Sequence, residues 1–377
     1  MIELHPVRAS LELSGIRKYT NLAQSIPGCI SLALGEPCFD TPQPIKDAAA
    51  KALAEGQTHY TANQGLPELR QAIARWETER GLSCDDSQVI VTVGASGALF
   101  NALMAILKEG EEVVIPTPAF PLYLSNIAIA GGVSVCMDTS KDGFQITKEA
   151  LDRVITEKTK AILLNSPNNP TGVVLTRESL ENVKAAVKGK DIFVICDNVY
   201  QQLADGDVPD LTLDPEIRDQ VILCQSFSKP YAMTGWRIGY LVTSRELAAR
   251  IMPLNAAQIA SIPTFLQAGS VEALSTDVSD MMDFYAENRR YVISRLTEMG
   301  LTFPKPEGAF YIFPDIRKFD MTDDEFCTRL AVEEKLAAVP GSCFGTPGYM
   351  RLSYCCSQEH LKEGLDRLAA FIKKLEA

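Results

Sequence analysis

The strongest constraint on the fold is a regular alternation of short apolar runs with helix-like segments between residues 89 and 242. Strands are predicted at 89–94, 112–115, 133–137, 160–164, 191–196, 221–225 and 237–242. Helices lie between most of them, notably at 95–108 and 176–188. This alternation is typical of an α/β domain with a mainly parallel central sheet sandwiched by helices. Ligands in such domains bind beyond the carboxyl ends of the strands, so the residues that follow each strand are the candidates for chemistry.

The sequence after this region has a different pattern. A long helix is predicted at 281–299, and it is followed by strands at 308–313, 339–344 and 350–354 and by helices at 323–335 and 358–375. This mixture is typical of a smaller α+β unit. We therefore predict a large domain at 36–280 and a small domain that combines an N-terminal arm, residues 1–35, with residues 281–377.

Charge and hydropathy argue against several classes of partner. The 377 residues suit two domains and carry a net charge of −12, which disfavours binding to a nucleic-acid backbone. Two long segments, 113–137 and 251–271, contain no charged residue. Prolines interrupt both segments, so neither supplies an apolar helix that spans a bilayer. We expect neither a nucleic-acid partner nor a membrane partner.

Cysteine usage and the start of the chain predict a cytoplasmic protein. The first six residues lack the basic start and the apolar run of a secretion signal. Ten cysteines in such a chain are expected to be reduced thiols. The sequence contains no CxxC pair and its three histidines are far apart, so we predict no metal site.

A lysine, Lys229, follows the predicted strand at 221–225 after a short turn. At the mouth of a core it would be partly desolvated, which favours the neutral, nucleophilic amine. The hydroxyls of Ser226 and Ser228 and the guanidinium of Arg237 are donors suited to a phosphate group. A nucleophilic amine beside a phosphate site suggests a phosphorylated aldehyde cofactor, pyridoxal phosphate (PLP). A lysine flanked by serines is also typical of a solvated loop, so both interpretations stay open on these residues alone.

Two other loops follow predicted strands. Residues 94–98 join a strand end to a helix start, where free amides and the helix dipole bind a phosphate; a plain helix cap is the alternative. Residues 165–172 form a turn-rich loop that contains Asn169 and is either a connector or part of a site.

Four further side chains have a structural and a functional interpretation. Asp197 ends an apolar run and is either a helix cap or the partner of a ring nitrogen, in which case Tyr200 lies near enough to bind the same ring. Phe120 is either a core residue or a stacking partner for a planar ring. Arg351 lies between apolar neighbours on a strand, so it either faces water or binds a carboxylate.

Taken in order along nearly the whole chain, these segments resemble the class I/II aminotransferases of PLP-dependent fold type I, in the aspartate-aminotransferase-like superfamily. The matching segments are Gly35-Glu36-Pro37, Tyr60-Thr61-Ala62 with Gly65 and Glu68-Leu69-Arg70, Gly94-Ala95-Ser96-Gly97, Asn169-Pro170-Thr171-Gly172, Asp197 with Tyr200, Ser226-Phe227-Ser228-Lys229, Arg237 and Arg351. One such motif alone would be a weak indication of this family, whereas the complete set in this order is a strong one.

The resemblance implies a role for each residue. Lys229 would form the internal aldimine and then act as the base for 1,3-proton transfer. Asp197 would pair with the pyridine nitrogen, and Tyr200 and Asn169 with the phenolic oxygen of the ring. Phe120 would stack on the ring.

The remaining roles implied by the resemblance concern the phosphate, the substrate and the partner subunit. The phosphate would be held by Ala95, Ser96, Ser226, Ser228 and Arg237. The substrate α-carboxylate would be bound by Arg351, Asn169 and the backbone of Gly35. Tyr60 would reach the phosphate in the neighbouring subunit, which implies a homodimer with shared active sites.

The activity implied by the resemblance is ping-pong transfer of an amino group from an L-amino acid to a 2-oxo acid, with 2-oxoglutarate as the expected acceptor. Ser96 stands where some relatives have a lysine, and no position matches the second, side-chain-reading arginine of the dicarboxylate-specific members. The amino donor therefore stays open. One alternative is a PLP-dependent carbon–sulfur β-lyase on the same scaffold. A non-catalytic sensor domain of a transcription regulator is less compatible with the acidic charge and with the roughly thirty residues before the first motif.

Overall fold

The computed structural model describes Leu11 and residues 14–377, and this part of the chain contains twelve strands and twelve α-helices. The strands are β1 (Ile30–Ser31), β2 (Val89–Thr92), β3 (Glu112–Thr117), β4 (Val133–Asp138), β5 (Thr159–Asn165), β6 (Phe193–Asp197), β7 (Val221–Ser226), β8 (Gly239–Val242), β9 (Tyr311–Ile312), β10 (Leu336–Ala337), β11 (Val339–Pro340) and β12 (Met350–Ser353). The helices are α1 (Gly15–Ser25), α2 (Gln43–Ala54), α3 (Pro67–Glu79), α4 (Gly94–Ile106), α5 (Leu122–Ile129), α6 (Lys148–Val154), α7 (Arg177–Val187), α8 (Arg245–Ile259), α9 (Thr264–Ala273), α10 (Ser279–Glu298), α11 (Asp323–Glu334) and α12 (Gln358–Leu375).

Seven strands form the central sheet, in the order β2-β8-β7-β6-β5-β3-β4. Only β8 runs in the opposite direction to the other six strands, so the prediction of a mainly parallel sheet is confirmed. Except for the edge strand β4, the strands are almost fully buried because helices cover both faces. Helices α4, α5 and α8 contribute to the core on one face, and α6 and α7 contribute to the core on the other.

The last strand of this sheet, β8, begins at Gly239, two residues later than predicted. Arg237 lies two residues before β8, and its backbone is left-handed with φ 54°. Because β8 is antiparallel, its start lies at the edge where the neighbouring strands end. Arg237 is therefore brought to the same edge as Asp197 and Ser226.

A second core joins the N-terminal segment to the C-terminal third of the chain. β1 pairs with β10 in a parallel two-stranded sheet, and β9, β11 and β12 form an antiparallel sheet of three. Helices α1, α10, α11 and α12 bury their apolar faces in the same cluster. On this basis we propose the division into domains at 36–280 and at 1–35 with 281–377; the predicted membership of residues 1–10, 12 and 13 lies outside the described residues.

The strand predicted at 339–344 is correct only for its first two residues. β11 ends at Pro340, and residues 341–344 form a 3₁₀ turn that ends at Gly345, whose φ is 82°. The apolar character of Cys343 and Phe344 reflects packing of this turn rather than pairing in a sheet. Among the described residues, none of the helices has both the length and the apolar character needed to cross a bilayer.

Candidate active site

A cavity of about 320 Å³ lies at the carboxyl edge of the central sheet and reaches the C-terminal strands. It brings together all but one of the residues that the sequence predicts for the site: Gly35, Ala95, Ser96, Phe120, Asn169, Asp197, Tyr200, Ser226, Ser228, Lys229, Arg237 and Arg351. The exception is Tyr60, which is 90% exposed and lies outside the cavity.

Lys229 lies in the turn that follows β7, and its amine points into this cavity. The Nζ atom donates a hydrogen bond of 2.7 Å to the carbonyl oxygen of Gly35 and lies 5.8 Å from the ring centre of Phe310. Desolvation lowers the pKa of Lys229 to about 8 from its ordinary value, with a smaller opposing contribution from Cys355 and Glu36. A lysine in this state supplies neutral amine near physiological pH.

Asp197 ends β6 and lines the cavity. The side chain is buried, and the hydroxyl of Tyr123 donates a hydrogen bond of 2.6 Å to Oδ2. Oδ1 is buried and has no hydrogen-bond partner among the described residues. Burial raises the pKa of Asp197 to about 6, against the lowering effect of the Tyr123 hydrogen bond. A protonated ring nitrogen opposite Oδ1 would satisfy this atom and lower the pKa again.

The loop after β5 is held in place by its own side chains. Asn165 ends the strand, accepts a hydrogen bond of 2.8 Å from the backbone N–H of Asn169, and donates one of 2.8 Å to the carbonyl oxygen of Asp197. Asn168 caps the following turn by accepting from the hydroxyl of Thr171 at 2.9 Å. The side chain of Asn169 is thereby fixed at the cavity wall, where sequence analysis left open a plain connector.

The phenol of Tyr200 lies in the same wall, three residues after Asp197. Its hydroxyl is 3.0 Å from the hydroxyl of Tyr311, and both tyrosines are buried. Two adjacent hydroxyls in a dry site can each donate to one acceptor, which suits a phenolate-like oxygen on a ligand. Desolvation raises the pKa of Tyr311 to about 12, so it is a proton donor at neutral pH.

Hydrogen-bond donors converge at the start of α4. Helix α4 begins directly after β2 without a side-chain cap, so its first-turn amides at Ala95 and Ser96 face the cavity. β8 passes close behind them, because a Cβ atom at Gly239 would lie only 2.8 Å from the Ala95 nitrogen. The Ser226 and Ser228 hydroxyls are 2.9 Å apart.

Arg237 completes this group of donors. Its Nη1 atom donates to the carbonyl oxygen of Thr234 at 2.8 Å, and its Nη2 atom lies beside Gly94 at the helix start. Helix amides, hydroxyls and a guanidinium around one space form a site for a phosphate dianion.

Arg351 points inward from β12, which resolves the alternative that the sequence left open. It is 1% exposed, and its guanidinium donates to Oδ1 of Asn169 at 2.8 Å and to the carbonyl oxygen of Ala33. The rings of Tyr311 and Phe344 flank it at 4.6 and 4.9 Å. Its Nε has no partner, and no carboxylate among the described residues pairs with it. Burial lowers the pKa of Arg351, and an anionic ligand would compensate for the lost hydration.

Sequence analysis missed three residues of the site. Tyr123 orients Asp197, Asn165 fixes the loop after β5, and Tyr311 contacts both Tyr200 and Arg351. Asn165 carried a usable signal, because it ends a strand as Asp197 does and pairs with it in register. Tyr123 and Tyr311 carried none, since each looks like an ordinary core aromatic.

Comparison with known proteins agrees with this geometry. Residues 27–368 match the family described as aminotransferase class I and II. The chain is 40% identical over 382 residues to a probable N-acetyl-LL-diaminopimelate aminotransferase of Bacillus subtilis, covering 99% of this chain and 97% of the relative. It is 40% identical to an aspartate aminotransferase of Thermotoga maritima over 97% of both chains. A crystal structure of aspartate aminotransferase from Thermotoga maritima superposes with a TM-score of 0.94 at 37% identity, covering 98% of this chain and 100% of the other.

Proposed function

The chain belongs to the class I and II aminotransferase family, and we propose that its central cavity is the active site, with Lys229 as the group that moves the proton. The protein is a PLP-dependent aminotransferase of fold type I, which transfers an amino group between an amino acid and a 2-oxo acid. The observation that carries the site assignment is that one cavity unites the Lys229 amine, the unpartnered Oδ1 of Asp197 and the buried Arg351 guanidinium.

The side chains of the cavity fit this cofactor. When bound, PLP supplies a protonated pyridine ring that withdraws electrons from the substrate Cα. Oδ1 of Asp197 is a buried acceptor that has no partner among the residues the structure describes, which is what the N–H of such a ring needs. Tyr200 and Asn169 would bind the phenolic oxygen, and Phe120 would cover one face of the ring. The proposed phosphate ligands are Ala95, Ser96, Ser226, Ser228 and Arg237.

In the proposed mechanism Lys229 would take the proton from the Cα atom of the amino donor and pass it on to the bound cofactor, and in the second half of the reaction it would carry a proton back to the Cα atom of the product. The lowered pKa of Lys229 makes both transfers accessible near neutral pH. Arg351 and Asn169 would hold the α-carboxylate, and this orientation keeps the Cα–H bond within reach of Nζ.

A half-reaction tests the proposed activity. Addition of an amino donor alone to the holoprotein should convert the bound cofactor from its aldehyde to its amine form, with loss of visible absorbance. Addition of 2-oxoglutarate, the proposed acceptor, should restore the first spectrum. The β-lyase alternative lacks comparable support, because the relatives described above are named as aminotransferases. Release of pyruvate and ammonia from cystathionine without any 2-oxo acid would instead favour the lyase.

The pH dependence of cofactor capture should reveal the lowered pKa of Lys229. The protonated amine cannot attack an aldehyde, so capture of PLP by the apoprotein should slow below pH 8 and level off above it. Stopped-flow absorbance after mixing across this pH range measures the midpoint, and acetyl-lysine amide in the same buffers corrects for titration of the cofactor itself. A midpoint at the ordinary lysine value of about 10.4 would contradict the proposed desolvation.

Substitution of Arg351 by alanine should weaken the binding of all amino-acid substrates to the same extent. The loss of a buried, charge-assisted contact costs about 2–5 kcal/mol, which corresponds to roughly a 30- to 5000-fold fall in kcat/KM. Primary amines that lack a carboxylate serve as the matched control and should react almost as in the wild type. Unchanged amino-acid kinetics in Arg351→Ala would show that the α-carboxylate binds elsewhere.

We also propose a homodimer in which Tyr60 of the partner subunit completes each phosphate site. The proposal is supported by the 90% exposure of Tyr60, a large aromatic side chain that its own chain leaves uncovered. It is also supported by the family motif that contains Tyr60. A cytoplasmic location is proposed because ten free thiols are typical of a reducing compartment.

Mixed dimers test this assembly. Lys229→Ala and Tyr60→Asp should each be inactive as homodimers, the second because it places a carboxylate beside the phosphate. A hybrid dimer would contain one site with an intact Lys229 and an intact Tyr60 from opposite chains, so part of the activity should return. Two different affinity tags isolate the hybrid. An inactive hybrid of two folded chains would contradict the shared site.

A further inference from the structure

Helix α10 carries a buried cation that does not line the active-site cavity. This residue is Arg289, which is 3% exposed. Its guanidinium forms an ion pair of 2.5 Å with Asp205, whose side chain is 65% exposed and lies toward solvent. Burial of a guanidinium is costly unless hydrogen bonds satisfy its donors, and three further acceptors surround this one. The partners of Arg289 therefore show which segments it holds together.

The three further acceptors come from segments that are distant in sequence. Nη2 donates to the carbonyl oxygen of Leu203 at 2.8 Å, and Nη1 donates to that of Glu307 at 3.3 Å. Nε donates to the hydroxyl of Tyr354 at 3.1 Å. Leu203 lies in the proposed large domain, whereas Glu307 and Tyr354 lie in the proposed small domain. Arg289 thus joins a turn of the first domain to two segments of the second.

The acceptor in the large domain belongs to the turn that follows Tyr200. Residues Gln201–Leu203 form a 3₁₀ turn, and the N–H of Leu203 donates to the carbonyl oxygen of Tyr200 at 2.9 Å. The carbonyl oxygen of Leu203 in turn accepts the hydrogen bond from Arg289. A continuous path of hydrogen bonds therefore runs from the buried guanidinium to the backbone of a residue that lines the cavity.

The acceptor Glu307 belongs to the segment that leads to Tyr311. Its carbonyl oxygen also accepts a hydrogen bond of 2.9 Å from the N–H of Asp205, so this segment is docked on the chain just beyond the turn. Four residues after Glu307, the hydroxyl of Tyr311 lies 3.0 Å from the hydroxyl of Tyr200. Arg289 therefore contacts both segments that bring these two hydroxyls together.

We propose that Arg289 is a positioning residue for Tyr200, a role that rests on the proposed function of this cavity. Arg289 fixes the turn after Tyr200, so that the tyrosine hydroxyl stays within reach of the phenolic oxygen of the bound cofactor. A donor at this oxygen favours its anionic form and so lowers the pKa of the bound chromophore. When the hydroxyl is displaced, that pKa rises although the tyrosine is still present.

An absorbance titration of the holoprotein tests this role. In Arg289→Gln the midpoint of the pH-dependent change in the visible band should rise by about one pH unit, a part of the shift expected for complete loss of a hydrogen bond to a charged acceptor. Arg289→Lys keeps the charge but not the planar fork, so the rise should be smaller. Arg290→Gln is the matched control, because it removes the same charge from the neighbouring, exposed residue, and its midpoint should equal that of the wild type.

Hydrogen exchange in the cofactor-free protein adds a readout that does not depend on the bound chromophore. The amide of Leu203 should exchange faster in Arg289→Gln than in the wild type, because its turn has lost an anchor. Exchange at the same amide should be unchanged in Arg290→Gln. An unchanged rate in Arg289→Gln would show that the turn is held by other contacts and would overturn the proposed role.

A double-variant cycle separates positioning from a long-range effect of the charge. In a Tyr200→Phe background the shift caused by Arg289→Gln should almost vanish, because the hydroxyl that Arg289 positions is absent. If Arg289→Gln does not fold, the same cycle with Arg289→Lys decides. Equal shifts in both backgrounds, or no shift in either Arg289 variant, would overturn the role of Arg289 and leave the aminotransferase assignment intact. A wild-type holoprotein without a visible band would overturn the proposed function itself.

Discussion

Lys229→Ala should abolish transamination while leaving the fold intact. In the proposed mechanism the amine would perform two tasks, since it would hold the cofactor covalently and move the proton at Cα. Acid–base catalysis alone contributes roughly 10²–10⁴-fold, and loss of the covalent attachment adds to that. Steady-state assays with an amino donor and 2-oxoglutarate measure the loss, and circular dichroism checks the fold.

The matched control for this variant is Lys305→Ala, because Lys305 is exposed and makes only a long contact of 4.0 Å with Glu307. It should be as active as the wild type. The Lys229→Ala protein should still bind PLP through the phosphate site, but reversibly. A folded Lys229→Ala protein with near-normal turnover would exclude Lys229 from the chemistry.

Asp197→Ala should slow the half-reaction roughly 10²- to 10⁴-fold. Removal of one partner from a buried ion pair costs about 3–5 kcal/mol, and in the proposed site the cost would fall on the protonated form of the pyridine ring. Without that form the ring withdraws electrons poorly, so removal of the Cα proton becomes slow. Single-turnover absorbance with an amino donor measures the rate.

Two further variants separate catalysis from structure at this position. Asp197→Glu keeps the charge and should be the milder change. Tyr123→Phe removes only the hydrogen bond to Oδ2, so it should have a smaller effect and should shift the pH profile of the half-reaction, because that hydrogen bond lowers the pKa of Asp197. If Asp197→Ala reacts within a few-fold of the wild type, the carboxylate serves only to cap the loop that follows β6.

The site residues that lie at or just after the ends of strands could be predicted from the sequence, because strands can be recognised from local apolar runs. Asp197 and Ser226 end apolar strands and Asn169 lies on the loop that follows a third, and parallel strands bring such positions to one edge. Lys229 was predictable in the same way, and its desolvation is reflected in its lowered pKa.

The remaining features depend on contacts between distant segments, which periodicity does not encode. The inward direction of Arg351 follows from its place between Tyr311 and Phe344, and a strand pattern alone allows either face. The position of α1 depends on its packing against a turn more than three hundred residues away. The turn at 341–344 has the sequence pattern of a strand because buried turns can be as apolar as strands.

The most direct test of the proposed active site is to identify the residue that carries the cofactor. The holoprotein should be reduced with borohydride, digested, and mapped by mass spectrometry. We predict loss of the visible absorbance band and one phosphopyridoxyl group per chain, attached to Lys229, with no label in the Lys229→Ala control. Label on a different lysine, or a reduced protein without covalent label, would contradict the assignment of this cavity as the active site.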